Sequence, residues 1–201
     1  MKRGHSVTFR QLESAYLDVQ RELDRAGLWY GRTRLMRTQV VWCWLPPPSL
    51  WGALGFFVEG ESALYRMFGF DPGHVYIPKW VLLHGPWQDR GSLRDVLRHE
   101  FGHALAYHHP GPVCRSRAFR KAFGARYDES WPQRPTDRED FLSRYAMTSP
   151  AEDFAETFAR WLRSCGGRGN SHGKSPLPRH ATPSLRAKFA FVQDVCRRIG
   201  G

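Results

Sequence analysis

The sequence lacks any run of about 20 apolar residues, which is the length that a membrane-spanning helix needs. Its most apolar stretch, Leu50–Val58, is short and follows the triplet Pro46–Pro48. The basic start of the chain leads into a charged segment and not into an apolar one. Neither a membrane span nor a secretion signal is therefore predicted, and a cytoplasmic location is expected.

Cysteine is scarce, and the four cysteines are widely and irregularly spaced, at Cys43, Cys114, Cys165 and Cys196. No CxxC pair occurs, which excludes a zinc ribbon by pattern. Two disulfides are arithmetically possible, but four reduced or buried thiols are the simpler interpretation.

Lysine is scarce as well, since only five of the 30 basic residues are lysine and the other 25 are arginine. A net charge of +11 could favour nucleic acid, anionic lipid or an acidic protein as a partner. The arginines are scattered along the chain, however, and form no block. A basic, solvated surface is therefore the simpler interpretation, and nucleic acid is the less favoured partner.

The sequence does contain enough apolar material for a core, because 41% of its 201 residues are hydrophobic and 14% are aromatic. This length suits one domain, so we predict a single domain over residues 1–201. We expect a monomer.

The spacing of apolar residues, together with caps and breakers, predicts helices and two strands along the chain. The predicted helices are Ser6–Arg25, Glu61–Phe68, Ser92–His108, Arg117–Ala125, Ser149–Arg163 and Ser184–Ile199. The predicted strands are Arg37–Leu45 and His74–Leu83, and Pro78 favours an edge position for the second one. The segment Cys165–Pro183 is rich in Gly, Ser and Pro, which is typical of a flexible loop.

The clearest chemical motif is HExxH, formed by His99, Glu100 and His103 within the helix predicted over Ser92–His108. Residues four apart on a helix lie about 40° apart around its axis, so both imidazoles can reach one ion. Glu100 projects beside that ion, where its carboxylate can take a proton from a zinc-activated water. Gly102 is unusual in the middle of a helix and would let another element approach closely.

A catalytic zinc needs a third protein ligand and an open position for water. The candidates after the motif are His108, His109, Asp128, Glu129, Asp140, Glu152, Asp153, Glu156, His172 and His180. Glu152 is favoured because it lies at the start of the next strong helix, which can pack beside the HExxH helix. Ser149 and Pro150 before it also form a capping-box pattern, so a purely local cap could explain Glu152 instead.

Two further side chains near Glu152 could support the site. Glu156 lies one turn on and could hydrogen-bond a ligand imidazole, which would fix its tautomer. Tyr145 precedes Glu152 by seven residues, and its phenol could donate a hydrogen bond to an oxyanion. The alternative for Tyr145 is an aromatic ring that packs the start of the helix.

These motifs, HEFGH followed by the segment Tyr145–Glu156, resemble the gluzincin branch that contains the catalytic domain of anthrax lethal factor and the bacterial Pro-Pro endopeptidases. They are more similar still to a bacterial family described as putative zinc-binding metallopeptidases. The resemblance covers roughly Ser92–Arg163, and it extends to Phe119–Gly124 and to Tyr127–Asp128 between the motifs. The first 70 residues carry no such resemblance.

The resemblance implies that His99, His103 and Glu152 bind Zn²⁺, that Glu100 is the general base, and that Tyr145 stabilises the oxyanion. It also implies an α+β, zincin-like fold, mostly helical with a small twisted sheet and an active-site helix that carries HExxH. The metal core would span about residues 74–164, with a flexible loop at 165–183 and a last helix at 184–199. The segment His74–Leu83 would line the cleft as an edge strand.

The sequence therefore predicts a zinc-dependent endopeptidase that hydrolyses a peptide or protein substrate with metal-activated water. The first alternative is a basic, nucleic-acid-associated protein, including a DNA-linked protease like the SprT proteins. The second alternative is a catalytically inactive zincin scaffold, because residue identity does not establish geometry.

Overall fold

The computed structural model describes residues 7–44, 53–60, 63–79, 92–133, 135–166 and 177–201. Its helices are α1 (Phe9–Arg25), α2 (Ala63–Met67), α3 (Leu93–His108), α4 (Arg117–Phe123), α5 (Pro150–Gly166) and α6 (Pro183–Gly200). Its strands are β1 (Val40–Cys43), β2 (Phe56–Phe57) and β3 (Val75–Pro78). Mostly helical structure with one small sheet confirms the predicted α+β class. Most of the predicted flexible loop, residues 167–176, lies outside the described residues.

Helix α1 begins at Phe9, directly after its capping residue. Thr8 is the N-cap, and it forms a capping box with Gln11, whose side chain accepts from the Thr8 N–H at 2.9 Å. Leu12, Val19 and Leu23 are buried, as the apolar spacing predicts. Phe9 differs because it lies at the very start of the helix, where it is 57% exposed.

The three strands lie in the order β1-β3-β2, with β1 parallel and β2 antiparallel to β3. The predicted edge position of the segment His74–Leu83 is therefore wrong for the part that the structure describes, since β3 is the central strand. Pro78 is tolerated there because it is the last residue of β3, and the next residue, Lys79, donates its N–H to Cys43 O at 2.7 Å. The antiparallel edge strand is β2, which the sequence analysis did not predict.

Helix α3 runs through the centre of the molecule, with every residue from Val96 to Ala106 buried. Its N-cap is Ser92, whose N–H donates to the Asp95 carboxylate at 3.0 Å. Helices α1, α5 and α6 contribute to the same hydrophobic core. Beside α3, aromatic rings from α4, α5 and α6 pack into one cluster. The members of this aromatic cluster are Phe119, Phe123, Phe154, Phe158 and Phe191.

Two buried ion pairs connect these helices. The Arg98 guanidinium on α3 donates two hydrogen bonds of 2.6 Å to Glu22 on α1. The Lys188 ammonium on α6 lies 2.8 Å from the Asp153 carboxylate on α5 and donates to Asp140 O at 2.6 Å. Lys188 therefore connects α6 both to the start of α5 and to the loop that leads into α5.

All four cysteines are free thiols, as the simpler interpretation of the sequence predicted. Within the described part of the chain, no helix combines the length and the apolar character that crossing a membrane requires.

Candidate metal centre

The HExxH helix presents both histidines to one point. His99 and His103 lie one turn apart on α3 and are each 8% exposed. Their Nε2 atoms are 3.2 Å from each other. The four-residue spacing therefore places the two imidazole nitrogens where the sequence predicted.

Glu152 joins this pair from the first turn of α5. Its Oε2 atom lies 2.9 Å from His99 Nε2 and 3.5 Å from His103 Nε2. The Glu152 N–H donates to Ser149 Oγ at 3.2 Å, so one half of the predicted capping box forms. The Glu152 carboxylate faces the histidines, so its position at the start of the helix is compatible with a ligand role as well as with a local cap.

Gly102 explains how Glu152 can come so close. A Cβ atom added to Gly102 would lie 2.9 Å from Ala155 Cα and 3.3 Å from the Cδ1 atom of Phe158. Backbone of α5 therefore occupies the space that any larger residue on α3 would need. The close approach that the mid-helix glycine predicted is present, and it brings the first turn of α5 up to the histidines.

The outward nitrogens of both histidines lie close to polar side chains, although only that of His103 makes a hydrogen bond. His99 Nδ1 lies 3.2 Å from Glu156 Oε1, the position that the sequence predicted for a supporting carboxylate. His103 Nδ1 lies 2.7 Å from the Tyr127 hydroxyl oxygen, which in turn donates to Glu59 Oε1 at 2.8 Å. A neutral histidine that carries its proton on Nδ1 keeps its lone pair on Nε2, the atom that faces Glu152 in both residues.

Sequence reasoning assigned no role to Tyr127 or Glu59. The resemblance includes Tyr127, which could have served as a signal for it. Glu59 precedes α3 by more than 30 residues and belongs to the part of the chain without resemblance. Only the folded sheet, which places the end of β2 beside the site, reveals Glu59.

The electrostatic environment of the centre favours a cation. Burial by itself would lower the histidine pKa values, but the neighbouring carboxylates, Glu152 first among them, raise the pKa of His99 to about 9 and that of His103 to about 10. Burial opposes the charged form of Glu152, yet the two histidines hold its pKa far below the usual range. The carboxylates therefore favour positive charge at the point where the three ligand atoms meet.

These atoms fit a zinc ion. Three ligands at about 2.0–2.2 Å from a tetrahedral zinc are about 3.3–3.5 Å apart, and the three separations here lie between 2.9 and 3.5 Å. Glu152 Oε2 is buried and makes no hydrogen bond of acceptable geometry, so its lone pairs are available to an ion. Within the residues that the structure describes, His99, His103 and Glu152 form the one group of three that could hold a metal ion.

Glu100 and Tyr145 border the same point. Glu100 is 5% exposed, and its charge contributes to the raised pKa values of both histidines. A Cβ added to Gly55 would lie 3.5 Å from Glu100 Cγ, so the chain just before β2 passes directly beside this side chain. The ring of Tyr145 lies 5.6 Å from the His99 ring between centroids.

The remaining ligand candidates lie elsewhere, apart from Glu156 beside His99. His108 Nε2 is 3.0 Å from Thr38 Oγ1, and His109 Nε2 is 2.7 Å from Thr33 O. Asp153 points away from the histidines to Lys188. Asp128, Glu129, Asp140 and His180 do not belong to the metal-ligand group, and His172 lies outside the described residues.

Comparison with known proteins agrees with this geometry. A family model described as "putative zinc-binding metallo-peptidase" matches residues 89–198, which is more than half of the 201-residue chain. A search of curated proteins and a search of solved structures each found no match. The matched segment contains His99, His103 and Glu152. The chain belongs to this family of putative zinc-binding metallopeptidases.

Proposed function

We propose that this protein is a zinc endopeptidase of the gluzincin type, with His99, His103 and Glu152 as its metal ligands. The observation that carries the proposal is the convergence of two imidazole nitrogens and one carboxylate oxygen, from separate helices, within 4.8 Å of one another. Family membership supports the zinc-binding character of the chain. The chemistry that zinc supplies at such a site is Lewis acidity toward a carbonyl oxygen and toward water.

Glu100 is the proposed general base and general acid. Its side chain lies beside the ligand histidines, on the helix face next to His99, and Glu100 itself is buried. In this position it can accept a proton from the attacking water and donate it to the leaving amine. Removing such proton transfer typically slows a reaction by about 10²–10⁴-fold.

Tyr145 is the proposed hydrogen-bond donor to the oxyanion of the substrate. It precedes α5 in a turn whose backbone is held by Thr148, since the Thr148 N–H and Oγ1 both donate to Tyr145 O, at 2.9 and 2.7 Å. Its ring lies against His99, on the border of the site. Phenols so placed stabilise charge that develops on a carbonyl oxygen.

The edge strand β2 is the proposed docking edge for an extended peptide. The sequence assigned this role to the segment His74–Leu83, but the described part of that segment is the central strand. Strand β2 pairs with β3 through Phe56 and Phe57, and in the described part of the sheet no strand pairs with its other side. An extended substrate could add there by backbone hydrogen bonds, next to Glu100.

The test is a digest of an unbiased peptide library with wild type and with Glu100→Gln, after the zinc content of both has been measured. We expect close to one zinc per chain in both proteins, cleavage by wild type, and a loss of about 10²–10⁴-fold in the variant. Glu13→Gln is the matched control, because Glu13 is exposed on α1 and we expect full activity from it.

Two results would contradict the proposal. Wild type that contains no zinc, from a preparation never exposed to chelator, would remove its basis. Zinc-loaded wild type that cleaves no member of the library would favour the inactive scaffold.

A further inference from the structure

A phenol bridges the second ligand histidine and a carboxylate. Glu59 Oε1 lies 3.6 Å from His103 Nδ1, which is too far for a direct hydrogen bond. The Tyr127 hydroxyl fills this gap, at 2.7 Å from His103 Nδ1 and 2.8 Å from Glu59 Oε1. His99 differs, because a carboxylate oxygen of Glu156 lies 3.2 Å from its Nδ1 atom without the geometry of a hydrogen bond.

The position of the protons follows from the chemistry of the three groups. A carboxylate oxygen only accepts, so the single hydroxyl proton of Tyr127 goes to Glu59. The hydroxyl oxygen then accepts from His103, which requires a proton on Nδ1. Neutral His103 consequently carries its lone pair on Nε2, the atom that faces Glu152.

The Tyr127 ring is held firmly enough to fix this geometry. It is 5% exposed, and its centroid lies 5.9 Å from that of Phe119 and 6.1 Å from that of Phe154. Because Phe154 lies on α5 two residues after Glu152, the same packing positions both the phenol and the third ligand. Rotation of the phenol away from His103 would break this aromatic cluster.

Glu59 is positioned by the sheet. It directly follows Val58, whose N–H donates to His74 O at 3.1 Å and whose carbonyl accepts from the Gly73 N–H at 2.8 Å. Glu59 lies outside residues 89–198, the segment that the family model matches. The N-terminal part of this chain thus contributes a group to the metal centre.

We propose that Tyr127, supported by Glu59, is a positioning residue that fixes the tautomer and the ring orientation of His103 for metal binding. This inference rests on the proposed metal site, and it adds a residue that neither the HExxH motif nor the third ligand implies. Loss of a hydrogen-bond partner of a ligand histidine typically weakens metal binding by about 10–100-fold.

The experiment measures the zinc dissociation constant of the full chain by competition with a chromophoric chelator. We expect Tyr127→Phe to bind zinc about 10–100-fold more weakly than wild type. We also expect it to shift the visible absorption bands of the cobalt(II)-substituted protein. Glu59→Ala should weaken zinc binding as well, whereas Glu59→Gln should retain most of the affinity because an amide oxygen still accepts the Tyr127 proton.

Tyr76→Phe is the matched control. Tyr76 is 3% exposed, and its hydroxyl oxygen accepts from the Asp71 N–H at 2.6 Å, away from the metal centre. This variant loses a comparable buried hydrogen bond, so it should lose stability without changing zinc affinity. Urea unfolding of the metal-free proteins shows whether each variant folds. If Tyr127→Phe does not fold, Glu59→Ala replaces it as the test, because Glu59 is half-exposed.

The outcomes separate the two proposals. Wild type that binds no zinc overturns the proposed function. Wild type that binds zinc, together with a folded Tyr127→Phe of unchanged affinity and unchanged cobalt spectrum, overturns only the role of Tyr127. Equally weakened zinc binding in Tyr127→Phe and in Tyr76→Phe would also overturn the role of Tyr127. The weaker binding would then follow from a general loss of stability.

Discussion

Replacing Gly102 by alanine tests whether the helix contact or the helix propensity dominates at the metal centre. Alanine is the better helix former by about 1 kcal/mol, so propensity alone predicts a more stable protein. The added Cβ would lie 2.9 Å from Ala155 Cα, however, where about 3.5–4.0 Å is an ordinary contact. Helices α3 and α5 must therefore move apart by roughly 0.6–1 Å.

The overpacking outweighs the propensity. Inserting a methyl group into a filled core costs about 1–3 kcal/mol, so the net loss of stability should be up to about 2 kcal/mol. The effect on metal binding should be larger, because Glu152 moves with α5 while His99 and His103 move with α3. Metal–ligand distances tolerate only about 0.2 Å, so we expect zinc affinity to fall at least about tenfold.

The assay combines urea unfolding of the metal-free protein with zinc competition. Gly111→Ala is the control, because nothing lies within 4 Å of a Cβ added there and we expect unchanged zinc affinity. A Gly102→Ala protein that gains about 1 kcal/mol of stability and binds zinc like wild type would refute the reasoning. It would show that α5 does not depend on the glycine for its approach.

Two further predictions concern stability. The metal-free protein should lose stability as the pH rises from about 6.5, the unfolded histidine pKa, through the folded pKa values of about 9 for His99 and about 10 for His103. Urea midpoints at pH 7 and pH 10 measure this loss, and a midpoint that rises with pH would contradict it. Glu22→Ala should cost about 1.5–3 kcal/mol, because the buried Arg98 guanidinium loses its bidentate partner but keeps its ion pair with Asp95. The partly exposed Asp18 makes only surface ion pairs, so Asp18→Ala should change the free energy of unfolding by less than about 1 kcal/mol. Equal losses in the two variants would contradict the role of the buried pair.

The sequence by itself determined the features that depend on neighbouring residues along one helix. The spacing of His99 and His103 on a capped helix places both imidazoles on one face, whatever surrounds the helix. Gly102, which lies between them, indicated that another element packs closely against this helix. The main helices lie within a few residues of the predicted bounds because their caps and apolar repeats are local signals.

Only the tertiary structure decided which distant groups reach the histidines. Glu152 fits both a cap and a ligand in the sequence, and the packing of α5 on Gly102 directs its carboxylate to the metal site. The edge position of the segment His74–Leu83 was predicted wrongly because Pro78 favours an edge in general but is tolerated at the last residue of a central strand. Glu59 and Tyr127 meet His103 from parts of the chain far from it, through the sheet and the aromatic cluster. Such contacts depend on how whole elements pack, and periodicity along one element does not contain that information.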